Sequence, residues 1–86
     1  MSIELSFAKV LKAVRVEKKI SQLELATESE LDRTYISMLE RGIHHPTLPT
    51  LFALSKALQI KPSELVRRVE VEIEKEEKEY TNPHKD

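Results

Sequence analysis

Two helix-start signals stand close together in the middle of the chain. Ser21-Gln22-Leu23-Glu24 has the form of a capping box. The Ser21 hydroxyl can accept from the backbone N–H three residues on, and the Glu24 carboxylate can reach back to the N–H of Ser21. Eleven residues after Ser21, Asp32 offers a second N-cap. A helix opening at Gln22 therefore has to end near Glu28 or Ser29. A tight turn must follow, and a second helix can then run from Arg33 to Arg41, closed by Gly42 as a C-cap. The stretch from Ile20 to Gly42 sets the frame. The rest of the chain reads as a scaffold around it and a tail that pairs it with a second copy.

The flanking residues fit helices. Ile3, Phe7, Val10, Leu11 and Val14 recur at helical spacing and predict one apolar stripe on a first helix ending near Lys18. Lys9, Lys12, Lys18 and Lys19 spread over its other faces. Arg15 lies beside the stripe, either as a surface cation or close to the buried face. In the central pair, Leu25 and Ala26 point inward, Leu31 can act as a staple ahead of the Asp32 cap, and Ile36 and Leu39 supply the inner face of the second helix. Thr47 caps a fourth helix with Pro49 in its first turn. Leu48, Leu51, Phe52, Leu54, Ala57 and Leu58 make that helix broadly apolar and predict that it is largely buried. Pro62-Ser63-Glu64 opens a fifth element. Leu65, Val66, Val69, Ile73 and Tyr80 lie on one helical stripe, yet residues 69–74 also alternate as a strand would. The Glu and Lys content favours a helix to about Glu79. Residues 81–86 are expected to be a disordered tail.

Composition narrows the function. The chain has 86 residues, enough for one domain, and no cysteine, which excludes disulfides and thiolate metal sites. No apolar run approaches the roughly 18 residues of a membrane span, and the N-terminus lacks signal-peptide character, so the expected location is the cytoplasm. Residues 1–68 carry 11 Lys and Arg against 8 Asp and Glu, a balance of +3. Residues 69–86 carry 3 against 7, a balance of −4. The net charge of −1 thus averages a mildly basic body with an acidic tail. No nucleophile with a base, paired carboxylates or phosphate-binding glycine loop is present, so no enzyme is expected. His44 and His45 are adjacent but lack a third ligand at metal spacing.

Two short helices joined by a tight turn make a helix-turn-helix, which puts the N-terminal half of the second helix in a DNA major groove. The residues there suit that task. Arg33 can bond bidentately to a guanine, and Thr34 offers a hydroxyl and a methyl. Tyr35 can reach a phosphate or stack on sugar and base edges. Ser37 and Met38 lie a turn further on, with Met38 able to press on a thymine methyl. Gln22 sits at a helix N-terminus, where a phosphate is favoured. Arg41, His44, His45 and Thr47 can hold the DNA backbone beyond the reading helix. The alternative is a protein-interaction module, an adaptor or antitoxin-like partner without specific DNA readout. The polar face of Arg33, Thr34 and Ser37 argues against it.

Residues 5–66 resemble the lambda-repressor and Cro type of helix-turn-helix domain. The resemblance is carried by Arg15, Ser21-Gln22, Leu25-Ala26, Ile36-Ser37-Met38-Leu39-Glu40-Arg41-Gly42, and Pro46-Thr47-Leu48 through Ala57-Leu58. Within that family, Leu31 to Ser37 is similar to the small controller proteins of restriction–modification systems. The resemblance implies an all-α, five-helix lambda-repressor-like DNA-binding domain over residues 1–68, with an extended C-terminal helix over 69–80. It implies a homodimer on a near-palindromic double-stranded DNA operator, and a structural ion pair between Arg15 and Glu40. Dimerisation is expected through Leu65, Val66, Val69 and Ile73 on the extended helix; helix five's start with the loop before it is the alternative surface. RNA polymerase is a further candidate partner. No cofactor, membrane or small-molecule ligand is expected. The chain departs from the family at Lys19 and Glu30, turn positions where glycine is usual.

Overall fold

A computed structural model describes the backbone of residues 2–81 and the side chains of residues 2–78. Five helices follow one another: α1 Ile3–Glu17, α2 Gln22–Ser29, α3 Arg33–Glu40, α4 Leu48–Ala57 and α5 Pro62–Thr81. Among the described residues there is no strand. The alternation at 69–74 is therefore helical, and α5 runs without a break past residue 68. The expected tail lies outside the described residues after Thr81, as does the Tyr80 side chain.

Each of the first four helices starts where a side chain can replace a missing backbone partner. Ser2, Ser21, Asp32 and Thr47 cap α1 to α4, and the capping box at Ser21 is complete in both directions, with Glu24 N–H to Ser21 Oγ at 3.0 Å and Ser21 N–H to Glu24 Oε1 at 2.7 Å. The helix ends share one geometry. After α2, the Leu31 N–H donates to the Ala26 carbonyl at 2.9 Å and the Glu30 N–H to that of Thr27 at 3.3 Å. The same crossed pair closes α1 through Ile20 and Lys19, α3 through Ile43 and Gly42, and α4 through Ile60 and Gln59. These are Schellman motifs, which need one residue at positive φ followed by an apolar one. Lys19, Glu30 and Gln59 hold φ of 62°, 59° and 56° without being glycine, a strain of about 1–2 kcal/mol each. Gly42 differs because a Cβ there would run into the Leu5 side chain. A side chain at Gly42 would have to displace that of Leu5, which the other three caps do not require of a neighbour.

The core is a single cluster. Phe7, Val10, Leu11 and Val14 of α1 meet Leu25 and Ala26 of α2, Ile36 and Leu39 of α3, Leu51, Leu54 and the adjoining Leu58 of α4, and Leu65 and Val69 of α5. Its buried hydroxyls are satisfied: Ser29 donates to the Leu25 carbonyl at 2.6 Å and Ser55 to the Leu51 carbonyl at 2.8 Å. Helix α4 is less buried than its composition predicts. Leu48 and Phe52 are 70% and 57% exposed, and Ile3 at the start of the α1 stripe is 65% exposed. Leu51, Leu54 and Leu58 follow the inward face, while Leu48 and Phe52 sit four apart on another.

Helix α5 packs along its length within its own subunit. The stripe expected to meet another subunit is largely occupied within its own. Leu65 is fully buried, Val69 is buried, and Ile73 packs against the core; only Val66 of the four is exposed. The far half of α5 is held down by α1. Lys9 Nζ lies 3.1 Å from Glu72 Oε2 and 3.2 Å from Glu76 Oε2, and the buried Ser6 hydroxyl donates to Glu76 Oε1 at 3.5 Å. An amphipathic helix longer than its domain needs a surface, and here α1 supplies it.

Candidate nucleic-acid interface

Helix α3 has a sharp division of faces because its apolar residues fall three apart. Ile36 and Leu39 are fully buried. Arg33 and Thr34 stand exposed on the first turn, and Ser37 and Met38 are half-buried one turn on. Asp32 fixes that first turn by accepting from the Thr34 N–H at 2.8 Å, so Arg33 leaves the cap on backbone already ordered. Tyr35 is held partly against the core, and its ring centroid lies 6.3 Å from that of His44 in a tilted arrangement. Beyond α3, Arg41, His44, His45 and Thr47 are all exposed. Thr47 Oγ1 is already engaged at the α4 cap, accepting from the Thr50 N–H at 3.3 Å.

The orientation of α3 rests on a buried charge network. Arg15 Nε lies 2.6 Å from Glu40 Oε2, and Arg15 Nη2 donates to Glu40 Oε1 at 3.1 Å. The third guanidinium nitrogen, Nη1, donates to the Ile20 carbonyl at 2.9 Å. The Glu40 side chain is only 3% exposed and that of Arg15 13%. One arginine thus joins the end of α1, the turn before α2 and the end of α3. Glu40 Oε1 also accepts from Gln22 Nε2 at 3.0 Å. The family resemblance implied the pairing of Arg15 with Glu40 but not the part of Gln22, because nothing in the spacing brings the first residue of α2 to the last of α3. The residues brought together are therefore the exposed α3 face with the loop after it, and Gln22 attached to the scaffold beneath. Among the described residues, His44 and His45 are joined by no third group that completes a metal site.

A helix pair of this geometry, with a polar face set outward on the second helix, defines a lambda-repressor and Cro-type helix-turn-helix domain. The chain belongs to the helix-turn-helix family, whose model matches residues 11–65. It is 39% identical to the control protein C.BamHI of Bacillus amyloliquefaciens over 66 residues, which is 76% of this chain and 82% of that one. It is also 39% identical to the immunity repressor protein of Bacillus phage phi105 over 72 residues, 84% of this chain but about half (49%) of the repressor. The restriction–modification controller protein C.Esp1396I, solved as a tetramer in complex with its natural 35 base-pair operator, superposes with a TM-score of 0.78 at 33% identity, over 85% of this chain and 96% of that one.

Proposed function

We propose that this chain is a cytoplasmic, non-enzymatic transcriptional regulator that binds a near-palindromic DNA operator as a homodimer. The observation that carries this is the α3 face: Arg33, Thr34, Ser37 and Met38 outward, Ile36 and Leu39 inward, with the helix locked through Glu40. Its likeness to control proteins and to a phage repressor supports the same reading. Each subunit places the first turns of α3 in a major groove, and the two grooves lie about 34 Å apart. Arg33 reads a base; Tyr35, Arg41, His44, His45 and Thr47 set register on the backbone. No helix among the described residues is long and apolar enough to cross a membrane.

The dimer surface proposed here takes Val66, the exposed member of the α5 stripe, together with α4 and the start of α5. Exposed Ile3, Leu48, Phe52 and Val66 line two adjoining apolar grooves that share Leu51 and Val66. Such a contiguous patch is the kind of surface that another subunit covers.

Selection of bound sequences from random DNA tests the function. A palindromic motif is expected, and Arg33→Ala should relax one position in each half-site at a cost of about 1–3 kcal/mol. Recovery of no enriched sequence would leave an interaction module instead. Phe52→Asp should shift the protein toward monomer in sedimentation and weaken operator binding together; an unchanged dimer would remove this surface.

A further inference from the structure

We propose that Glu40 is a positioning residue that sets the polarity of the Gln22 amide, so that Gln22 meets the DNA backbone as an N–H donor. The inference rests on the DNA-binding reading above. An ionised carboxylate can only accept hydrogen bonds, and an amide presents a donor on one side and an acceptor on the other. With Glu40 Oε1 at 3.0 Å, it is the nitrogen of Gln22 that must face inward. That nitrogen carries two hydrogens. One is directed to Glu40, and the other remains for a second acceptor. A phosphate oxygen is such an acceptor, and Gln22 is the first residue of α2, where backbone N–H groups and the helix dipole already favour an anion.

The reverse orientation would turn the amide oxygen toward the phosphate, acceptor against acceptor. Glu40 removes that orientation before DNA arrives. Its own charge does not oppose the phosphate unscreened, because Arg15 binds both of its oxygens from within the domain. The buried pair therefore does more than orient α3. It hands a fixed hydrogen-bond polarity to a side chain at the start of α2.

Operator affinity in four proteins tests this: the unaltered chain, Gln22→Met, Glu40→Gln, and the double variant. The probe is a fluorescein-labelled duplex carrying the palindrome recovered by selection, read by anisotropy at a temperature where all four are folded. Glu40→Gln lets the amide at 22 turn over. Any loss through the orientation of α3 is common to both backgrounds; beyond it, Glu40→Gln should weaken binding about five- to tenfold more, the scale of one hydrogen bond, when Gln22 is present than when Met replaces it. The fall in thermal midpoint caused by Glu40→Gln should be the same in both backgrounds. An equal loss of affinity in both backgrounds overturns the positioning role and leaves the DNA-binding reading intact. Absence of duplex binding by the unaltered chain overturns both. Where Glu40→Gln folds poorly, the unaltered chain is read by side-chain amide NMR. One Gln22 amide proton should be shifted downfield and protected from exchange; two protons at the positions of a solvent-exposed amide, both exchanging freely, would overturn the proposal.

Discussion

Two of the polar networks that tie helix α1 to the rest of the molecule make a useful contrast. Near its C-terminal end, Arg15 and Glu40 form a bidentate pair with side chains 13% and 3% exposed. Nearer its N-terminus, Lys9 reaches Glu72 and Glu76 with its own side chain 57% exposed. The first has removed two charges from water, a cost that only good geometry and full hydrogen bonding offset. All three Arg15 nitrogens and both Glu40 oxygens have partners. The second network leaves its cation in water, where pairs contribute little and salt screens them. Position rather than strength is what both provide. The buried pair orients α3, and the exposed one keeps the end of α5 against its own subunit.

The largest expected effect is at the buried network. Glu40→Ala leaves the Arg15 charge buried without its partner and should cost about 3–5 kcal/mol in denaturant unfolding. A loss under about 1 kcal/mol would mean that the two networks do not differ. Arg15→Lys keeps the charge but loses the fork, and should cost about 1.5–3 kcal/mol, the scale of a charge-assisted hydrogen bond. At the other end, Lys9→Met should change stability by no more than about 1 kcal/mol. That change should shrink further in 1 M salt, while the Glu40→Ala effect persists.

The smallest effect is a pH response of Glu64, Glu72 and Lys9. Glu64 is lowered from 4.5 to about 2, first by its hydrogen bond from Arg67 and then by Arg68. Glu72 is also lowered, by a hydrogen bond shared with Glu76 first and by Lys9 second. A carboxyl whose folded value is depressed adds stability above its unfolded value, and that stability fades as pH falls from about 4.5 toward 2. Lys9 is raised above 10.5, chiefly by Glu72 and then Glu76, so its share is complete below that value and fades as pH rises past it. Stability in Lys9→Met should therefore be flatter at both extremes. Carboxyl titration by NMR should find Glu64 well below 4.5 at low salt; an ordinary value would show that its ion pairs are not formed in solution.

Much of the fold could be read from local signals. A cap acts over about three residues, so Ser21, Asp32 and Thr47 mark helix starts whatever packs around them. The missing glycines at Lys19 and Glu30 pointed to strained turns, and both residues do hold positive φ. The positive φ of Gln59 was not anticipated. Its signal was present in Ile60, the apolar residue that follows the turn as Ile20, Leu31 and Ile43 do. The outward face of α3 was legible because Ile36 and Leu39 leave Arg33, Thr34, Ser37 and Met38 on the other side. The link from Gln22 to Glu40 was not, because the two lie 18 residues apart on different helices.

Local chemistry thus settled where each helix begins, how it ends and which side of α3 is polar, because those choices are made between residues a turn or less apart. Tertiary structure decided what the apolar residues touch. The stripe on α5 has the same periodicity whether it meets another subunit or its own core, and burial there depends on which helix lies alongside. Helix α1 lies alongside, with Lys9 and Ser6 reaching Glu72 and Glu76, so Leu65 and Val69 are covered within one chain. Phe52 and Leu48 show the converse. They read as core by composition, yet among the described residues no helix covers them.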